Sequence, residues 1–303
     1  SCEQGRNFNN KIWNALKLVK MWEGRVAEGA SSSEEAHFAV NWFENRLNEV
    51  KAQVIDLFKD FKLSEALNLI CNHLIWNDFC SWYLEWVKPG FEQPIDAAIY
   101  KKTVYFFEEL MHLAHPFLPF VTEEIYQLLA TREAGDDLVI KQYTAPAAVD
   151  ANMLAQGELA KEVITSIRDA RAKNQIKPKD PIALHIDTAQ QKAFKQIEDM
   201  LIKQVNAKAI NYVNAPVSGC IALVIQKDKF YLETENELDP AAQKEALLKD
   251  LAYNQGFLAS VDKKLSNEKF VQNAKPEAVE LERKKKADAE AKIAAITESL
   301  KSL

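Results

Sequence analysis

An amphipathic stretch from Gly5 to Trp22 constrains the fold of this chain more than any other feature. A surface helix places apolar residues on one face of a 3.6-residue repeat and docks that face on a core. The residues here with that spacing are Phe8, Ile12, Ala15, Leu16 and Val19. The stretch therefore predicts a long helix whose apolar face is buried against other elements.

The opposite side of the same helix carries cations and amides around one large aromatic residue. Arg6, Asn10, Trp13 and Lys17 recur at i, i+4, i+7 and i+11, and Asn14 belongs to the same polar group. Such a stripe can hold a phosphate and stack a nucleobase. A plain bundle helix with a semi-buried tryptophan and solvated polar residues would carry the same pattern. The residues alone leave both interpretations open.

Further helical segments follow before residue 145. They are long and amphipathic, are separated by short polar breaks, and show no strands of alternating polarity. Their expected ranges are about 34–58, 64–86, 95–114 and 119–129. This pattern predicts a mainly α fold that begins with an antiparallel helix bundle over residues 1–145.

Two groups in this bundle have a possible functional interpretation, and for both we favour a structural one. Trp76, Trp82 and Trp86 are expected in the core rather than on a stacking surface. Two carboxylates and two histidines between residues 108 and 115 have helical spacing, but no further ligand accompanies them. We therefore expect no metal site.

The region 146–235 predicts a small α/β module. An amphipathic helix over 153–173 is followed by strands at 182–186, 211–213, 220–226 and 230–233 and by a helix over 191–205. Cations gather at the end of the first helix and just beyond it, namely Arg168, Arg171, Lys173 and Lys177. Cations there suit the dipole of a helix C-terminus as well as they suit phosphate.

The tail, 236–303, predicts an antiparallel coiled-coil hairpin. Leu247, Leu251, Asn254, Leu258, Val261 and Leu265 step by four and three, and Ile293, Ile296, Leu300 and Leu303 resume the pattern after a break. Most charges in the tail are expected on solvated faces. The basic residues that could meet a polyanion are Lys263, Lys264, Lys269, Arg283, Lys284, Lys285 and Lys286.

Net charge and cysteine usage exclude several classes of protein. A net charge of −6 argues against a protein that coats nucleic acid without specificity, but the segregated cations suggest a defined footprint. The four cysteines are far apart and form neither a zinc motif nor a disulfide framework. No apolar run is long enough to cross a membrane and no signal peptide is present. We expect a cytoplasmic protein with reduced thiols, no cofactor and no metal.

Four stretches carry a family resemblance. They are Gly-Arg-Asn-Phe-x-Asn-Lys-Ile-Trp-Asn-Ala at 5–15, Ile-Trp-Asn-Asp-Phe-Cys-Ser-Trp-Tyr at 75–83, the segment 115–126 and the segment 264–274. The first two resemble valyl-tRNA synthetases, a branch of the class I synthetases. The third is shared by several related synthetases, and the fourth resembles the turn of the C-terminal arm in bacterial members. Lys275 departs from the family by standing between Ala274 and Pro276.

The resemblance implies the C-terminal, tRNA-recognising part of such a ligase. Because the chain lacks an initiator methionine and opens directly into a helix motif, we expect a portion of a longer polypeptide. The parent would attach valine to its tRNA using ATP and act as a monomer. The sequence holds no His-x-Gly-His and no Lys-Met-Ser-Lys-Ser. The portion is therefore predicted to bind tRNA without catalysing a reaction.

Each group of cations then has an expected role. The stripe on the first helix would contact the anticodon stem-loop, the cations at 168–177 would hold backbone phosphate, and the tail would support the outer corner of the tRNA. The main alternative is a helical, coiled-coil scaffold that binds other proteins, with basic residues that only aid solubility. Salt dependence of nucleic-acid binding distinguishes the two, because phosphate contacts give a steep slope.

Overall fold

Two compact units, residues 1–158 and 159–303, make up the structure, which is a computed structural model. It describes residues 2–30, 32–234, 240–274 and 276–302. The chain is mainly helical with a small sheet in the second unit, as the sequence predicts. The finer division at residues 145 and 235 stays a prediction. Among the described residues, no helix combines the length and apolar character needed to span a membrane.

The first unit is a helix bundle. Its elements are α1 (Cys2–Glu23), α2 (Glu34–Lys59), α3 (Leu63–Asn68), a π-helix (Leu69–Tyr83), α4 (Leu84–Val87), α5 (Ala97–Ala114), α6 (Pro119–Leu129) and a 3₁₀ turn (Leu138–Ile140). Two short parallel strands, β1 (Val26–Ala27) and β2 (Ile95–Asp96), tie the loops at one end. The helix α7 (Ala151–Lys173) starts in this unit and ends in the second.

Local sequence explains where these helices begin. The Ser33 hydroxyl accepts a hydrogen bond from the Ala36 amide at 3.2 Å, and the Asp96 carboxylate accepts from Ala98 and Ile99. These side chains satisfy amides that have no partner within the first turn of a helix. Pro119 opens α6, where its missing N–H costs nothing.

Aromatic rings fill the centre of the bundle. The Phe43 ring centre lies 5.4 Å from that of Phe79, 4.9 Å from Tyr83 and 5.1 Å from Phe106. The buried Tyr83 hydroxyl shares a 2.8 Å hydrogen bond with Thr103. This core joins α2, the π-helix and α5, so it fixes the wall against which α1 packs.

The carboxylates Glu108 and Glu109 form ion pairs, and the nearby histidines have hydrogen-bond partners. Glu109 pairs with Lys51, and Glu108 pairs with Arg132. A His112 ring nitrogen lies 3.3 Å from the Lys141 carbonyl. Within the described ranges, no group of three or more histidine, cysteine, aspartate or glutamate residues is placed to hold a metal ion.

The second unit contains a four-stranded sheet. Its strands are β3 (Ile182–Asp187), β4 (Ala207–Tyr212), β5 (Ile221–Ile225) and β6 (Asp228–Glu233), in the order β4-β3-β6-β5. β3 runs parallel to β4, and the crossover contains α8 (Gln191–Gln196) and α9 (Glu198–Val205). β6 pairs antiparallel with both β3 and β5.

The predicted elements of this module are present with shifted boundaries. Asn206 adopts φ 51° and ends α9, so β4 starts at Ala207 instead of 211. Ile197 interrupts the predicted helix over 191–205. Gln226 has φ 54° and allows a tight turn, which lies before Asp228 instead of at 227–229. Local left-handed residues of this kind carry no strong sequence signal unless they are glycine.

The tail forms a helical hairpin of α10 (Pro240–Leu265), α11 (Glu268–Asn273) and α12 (Pro276–Ser302). α10 and α12 run antiparallel, since Lys264 pairs with Glu282 and Asp262 pairs with Lys286. Buried seam residues include Val261, Val279, Ala289 and Ile296. Leu303 and Lys275 lie outside the described residues. Supercoiling of the hairpin stays a prediction.

Candidate nucleic-acid interface

The helix α1 has the two faces that its sequence predicts. Phe8, Ile12, Ala15, Leu16 and Val19 are each no more than 7% exposed. Their burial follows from packing against the π-helix, α5 and α6. The predicted docking face is therefore confirmed.

The outer face of α1 presents the predicted stripe to solvent. Arg6, Asn10, Asn14 and Lys17 are exposed, and Trp13 is half-buried. Arg6 has a surface ion pair with Glu3 at 3.9 Å, which costs little to break because both side chains are solvated. The stripe thus offers two cations, two amides and one indole along a rigid helix.

The three tryptophans predicted in the core have different positions. Trp86 is fully buried, Trp82 is half-buried with its ring centre 5.6 Å from that of Trp86, and Trp76 is 36% exposed. The prediction was wrong for Trp76. Because the segment Leu69–Tyr83 is wound as a π-helix, a 3.6-residue repeat counted back from Trp86 does not identify its buried face.

A lysine of α1 contacts this exposed tryptophan. Lys11 Nζ lies over the Trp76 ring, 5.4 Å from its centre. The sequence assigned Trp76 to the core and gave Lys11 no site role. The charge pattern was a usable signal for an exposed face at Trp76, since the only acidic residue between Glu65 and Glu85 is Asp78. Asp78 is buried and accepts a 2.8 Å hydrogen bond from Arg46 Nε.

Exposed carboxylates are absent from the middle of both neighbouring helices. Glu3 and Glu23 are exposed at the two ends of α1, and no acidic residue lies between them. In a chain of net charge −6, two adjacent stretches without an exposed acid can approach a polyanion with little local repulsion.

The cations after α7 divide into exposed and buried groups. Arg168, Lys173 and Lys177 are exposed. Arg168 donates a 3.0 Å hydrogen bond to the side-chain oxygen of Gln204, and Lys173 lies 3.4 Å from Asp250. These three side chains can reach a phosphate without leaving the fold.

Arg171 is buried inside the fold, contrary to its predicted contact with phosphate. It is 4% exposed, and its guanidinium donates to the Val205 carbonyl at 3.0 Å and to the carbonyls of Lys177, Pro178 and Asp180. Burial lowers the pKa of Arg171, partly offset by Asp180. The side chain closes the turn between α7 and β3, so it is not available to phosphate.

The cations of the tail likewise divide by their partners. Lys264 and Lys285 donate to the Glu282 carboxylate at 2.8 and 2.9 Å, and Lys286 pairs with Asp262 at 2.7 Å. Lys264 Nζ also lies 5.1 Å from the centre of the Phe270 ring. The hydrogen bonds from Lys264 and Lys285 lower the pKa of Glu282. The pairs Lys264–Glu282 and Lys286–Asp262 join α10 to α12, whereas Lys285 and Glu282 lie on the same helix.

Of the predicted tail cations, Lys263, Lys264, Arg283 and Lys284 are exposed, and Lys264 is paired with Glu282. Arg283 has a 4.0 Å contact with Glu280, with both side chains mostly solvated. The side chain of Lys269 lies outside the described residues. The polyanion-facing set in the tail is therefore smaller than the sequence predicts.

The described cysteines are structural thiols. Burial raises the pKa of both Cys71 and Cys80 to about 12. A thiol with that pKa stays protonated near neutral pH and is a poor nucleophile. Cys220 is also buried, and burial raises its pKa.

Comparisons with known proteins agree with this geometry. Residues 40–187 match the family model described as the anticodon-binding domain of tRNA ligase, and residues 239–303 match the valyl tRNA synthetase tRNA binding arm. These two matches identify the class as the tRNA-binding portion of a tRNA ligase.

Curated relatives narrow this class to one family. The chain is 40% identical over 302 residues to the valine–tRNA ligase of Parabacteroides distasonis and 42% identical over 302 residues to that of Bacteroides fragilis. Each match covers 100% of this chain and 34% of the relative. The valine–tRNA ligase of Agrobacterium fabrum is 29% identical over 97% of the chain. The chain belongs to the valine–tRNA ligase family and spans about a third of its relatives' length, in their C-terminal region.

Proposed function

We propose that this chain recognises tRNA as the C-terminal part of a valine–tRNA ligase. The parent enzyme would attach valine to its tRNA with ATP, in the cytoplasm and as a monomer. The chain itself would bind and orient the tRNA without reacting. The observation that carries the proposal is the outer face of α1, where exposed cations and amides flank Trp13 on a helix whose opposite face is buried.

The α1 stripe has the chemistry needed for an anticodon loop. Unpaired RNA bases stack on aromatic rings and form hydrogen bonds along their edges. Trp13 would stack a base, and the amides of Asn10 and Asn14 would read base edges. Arg6 and Lys17 would neutralise the phosphates on either side.

Two further cation groups would extend the contact along the tRNA. Arg168, Lys173 and Lys177 would hold backbone phosphate, since they are exposed at the end of α7 and just after it. Lys263, Arg283 and Lys284 would support the outer corner of the tRNA from the hairpin. Lys264 and Lys286 would act indirectly, because their ion pairs join α10 to α12, and Lys285 would act through Glu282 on its own helix.

The test is a titration of this chain against valine tRNA transcripts with intact and altered anticodons. We expect salt-sensitive binding that is weakened by altered anticodons and by the pair R6A/K17A. The matched control is K59A/K62A, which removes two cations from the α2–α3 connection of the same unit, each paired locally with an aspartate. The α1 assignment would be contradicted if altered anticodons bound as tightly as the intact one and if R6A/K17A bound tRNA as tightly as K59A/K62A.

A further inference from the structure

Trp76 is an indole held at the surface by a neighbouring helix. It is 36% exposed, whereas Trp22, Trp42 and Trp86 are fully buried. Lys11 of α1 lies over its ring at 5.4 Å from the centre. A cation above an aromatic face stabilises the ring position, so the indole is presented in a fixed place.

The surroundings of Trp76 suit RNA. Asn72, His73 and Asn77 are exposed on the same π-helix. Asn68 links two of them, since its amide lies 2.7 Å from that of Asn72 and 3.3 Å from the His73 ring. Amides and an imidazole, with no exposed carboxylate, are groups that pair with base edges and tolerate phosphate.

The local fold keeps this face turned outward. Asp78, two residues after Trp76, is buried and receives the Arg46 Nε–H at 2.8 Å. The Ser81 hydroxyl donates to the Trp76 carbonyl at 3.0 Å, across the i to i+5 spacing of a π-helix. π-helical turns are rarer than α-helical ones and are frequently found at functional sites. Here the winding is anchored in the turn that follows the indole, at Asp78 and Ser81.

We infer that Trp76, with Lys11 over its ring, stacks an unpaired nucleobase of the RNA loop that contacts the α1 stripe. The inference rests on the proposed function and adds a second aromatic platform to it. Trp13 lies on α1 and Trp76 on the π-helix, and these two helices pack against each other. The ligand class is an unpaired base of single-stranded RNA, and stacking alone does not choose between bases.

The experiment compares two RNA probes and matched variants of the full chain. One probe is the hairpin of the valine tRNA anticodon arm, and the other is a blunt duplex of the same stem without a loop. Because one stacked base accounts for roughly a fivefold to hundredfold change in affinity, W76A is expected to bind the hairpin at least about fivefold more weakly. Its duplex binding stays unchanged.

The control variants separate stacking from folding. F120A removes another exposed ring of the same unit, 90% exposed, and is expected to bind both probes like the unsubstituted chain. W76F keeps an aromatic face and most of the hairpin affinity, whereas W76L keeps apolar volume and loses it. Circular dichroism at 222 nm confirms that each variant is folded.

Each contrary outcome overturns a defined statement. If the unsubstituted chain binds the hairpin and both W76A and W76L bind it equally well, the stacking role is wrong while the proposed function stands. If the variants weaken hairpin and duplex alike, Trp76 is structural and the inference fails. If the unsubstituted chain binds neither probe, the proposed function fails together with the inference.

Discussion

Gly157 shows how tightly single side chains are fitted in the first unit. A Cβ at this position would lie 2.0 Å from Cδ1 and 2.1 Å from Nε1 of Trp42, which is fully buried. Those separations are far below van der Waals contact, so the backbone of α7 touches the Trp42 ring directly. Glycine is required here for close approach, not for its backbone conformation.

We expect G157A to destabilise the first unit. Overpacking costs about 1–3 kcal/mol or more, while replacing glycine by alanine in a helix returns at most about 1 kcal/mol. All six tryptophans lie between Trp13 and Trp86, so thermal unfolding followed by tryptophan fluorescence reports this unit. The control is G5A in α1 of the same unit, where a Cβ meets nothing within 4 Å. An unchanged fluorescence midpoint in G157A would contradict the close packing.

Arg171 separates a structural cation from the binding cations around it. We expect R171A to lower the stability of the second unit by roughly 1.5–3 kcal/mol, because buried carbonyls lose a charged donor. R168A removes an exposed cation of the same helix and is expected to have a much smaller effect. Denaturant unfolding measured by circular dichroism makes the comparison. Equal effects of the two substitutions would place Arg171 at the surface in solution.

At the scale of elements, the helical hairpin depends on one buried carboxylate. Glu282 is 5% exposed and accepts from Lys264 across the hairpin and from Lys285 on its own helix. The basic run after it therefore has two functions, since Lys285 and Lys286 make internal ion pairs while Arg283 and Lys284 are exposed.

The lowered pKa of Glu282 predicts how hairpin stability depends on pH. A carboxylate whose pKa is lower in the folded state than in the unfolded state stabilises the fold. Its contribution to stability is fully present above the unfolded pKa, about 4.3, and is lost as pH falls through the folded pKa. We expect E282Q to lower the melting temperature of the hairpin at pH 7 and to match the unsubstituted chain near pH 2. E280Q, an exposed neighbour, serves as the control. A constant difference between E282Q and the unsubstituted chain across this pH range would exclude the linkage.

Sequence periodicity predicts the buried face of a regular helix. It fails where the helical repeat changes or where a side chain contacts a distant part of the chain. The buried face from Phe8 to Val19 follows from spacing along one helix, so it was predictable. Trp76 was misplaced because a π-helix changes the repeat, which no single residue announces. Arg171 was misplaced because its acceptors include the Val205 carbonyl, 34 residues away. The fold brings the Val205 carbonyl close to the Arg171 guanidinium, and the sequence around Arg171 gives no sign of this contact.

At the scale of the whole molecule, a negative net charge is compatible with binding RNA at a defined surface. The chain has net charge −6, yet no acidic residue lies between Glu3 and Glu23 on α1, and the single acid of the π-helix, Asp78, is buried. Local stretches without exposed acids can accept a polyanion although the net charge of the chain is negative. This distribution favours a defined footprint over general nucleic-acid binding.

Salt dependence gives a quantitative prediction for this footprint. Each phosphate contact contributes about 0.7–0.9 to the slope of log affinity against log salt. Relative to the unsubstituted chain, R6A/K17A and R283A/K284A are each expected to reduce the slope for valine tRNA by about one to two. The control K244A/K249A removes two lysines from α10. Filter binding at several salt concentrations measures the slopes, and equal slopes in all variants would refute the assignment.

Hydroxyl-radical footprinting of valine tRNA bound to this chain tests the central claim most directly. We predict protection in the anticodon loop that is lost in R6A/K17A, and separate protection at the outer corner that is lost in R283A/K284A. Protection at neither place, or protection that both variants leave intact, would contradict the assignment of these surfaces to tRNA.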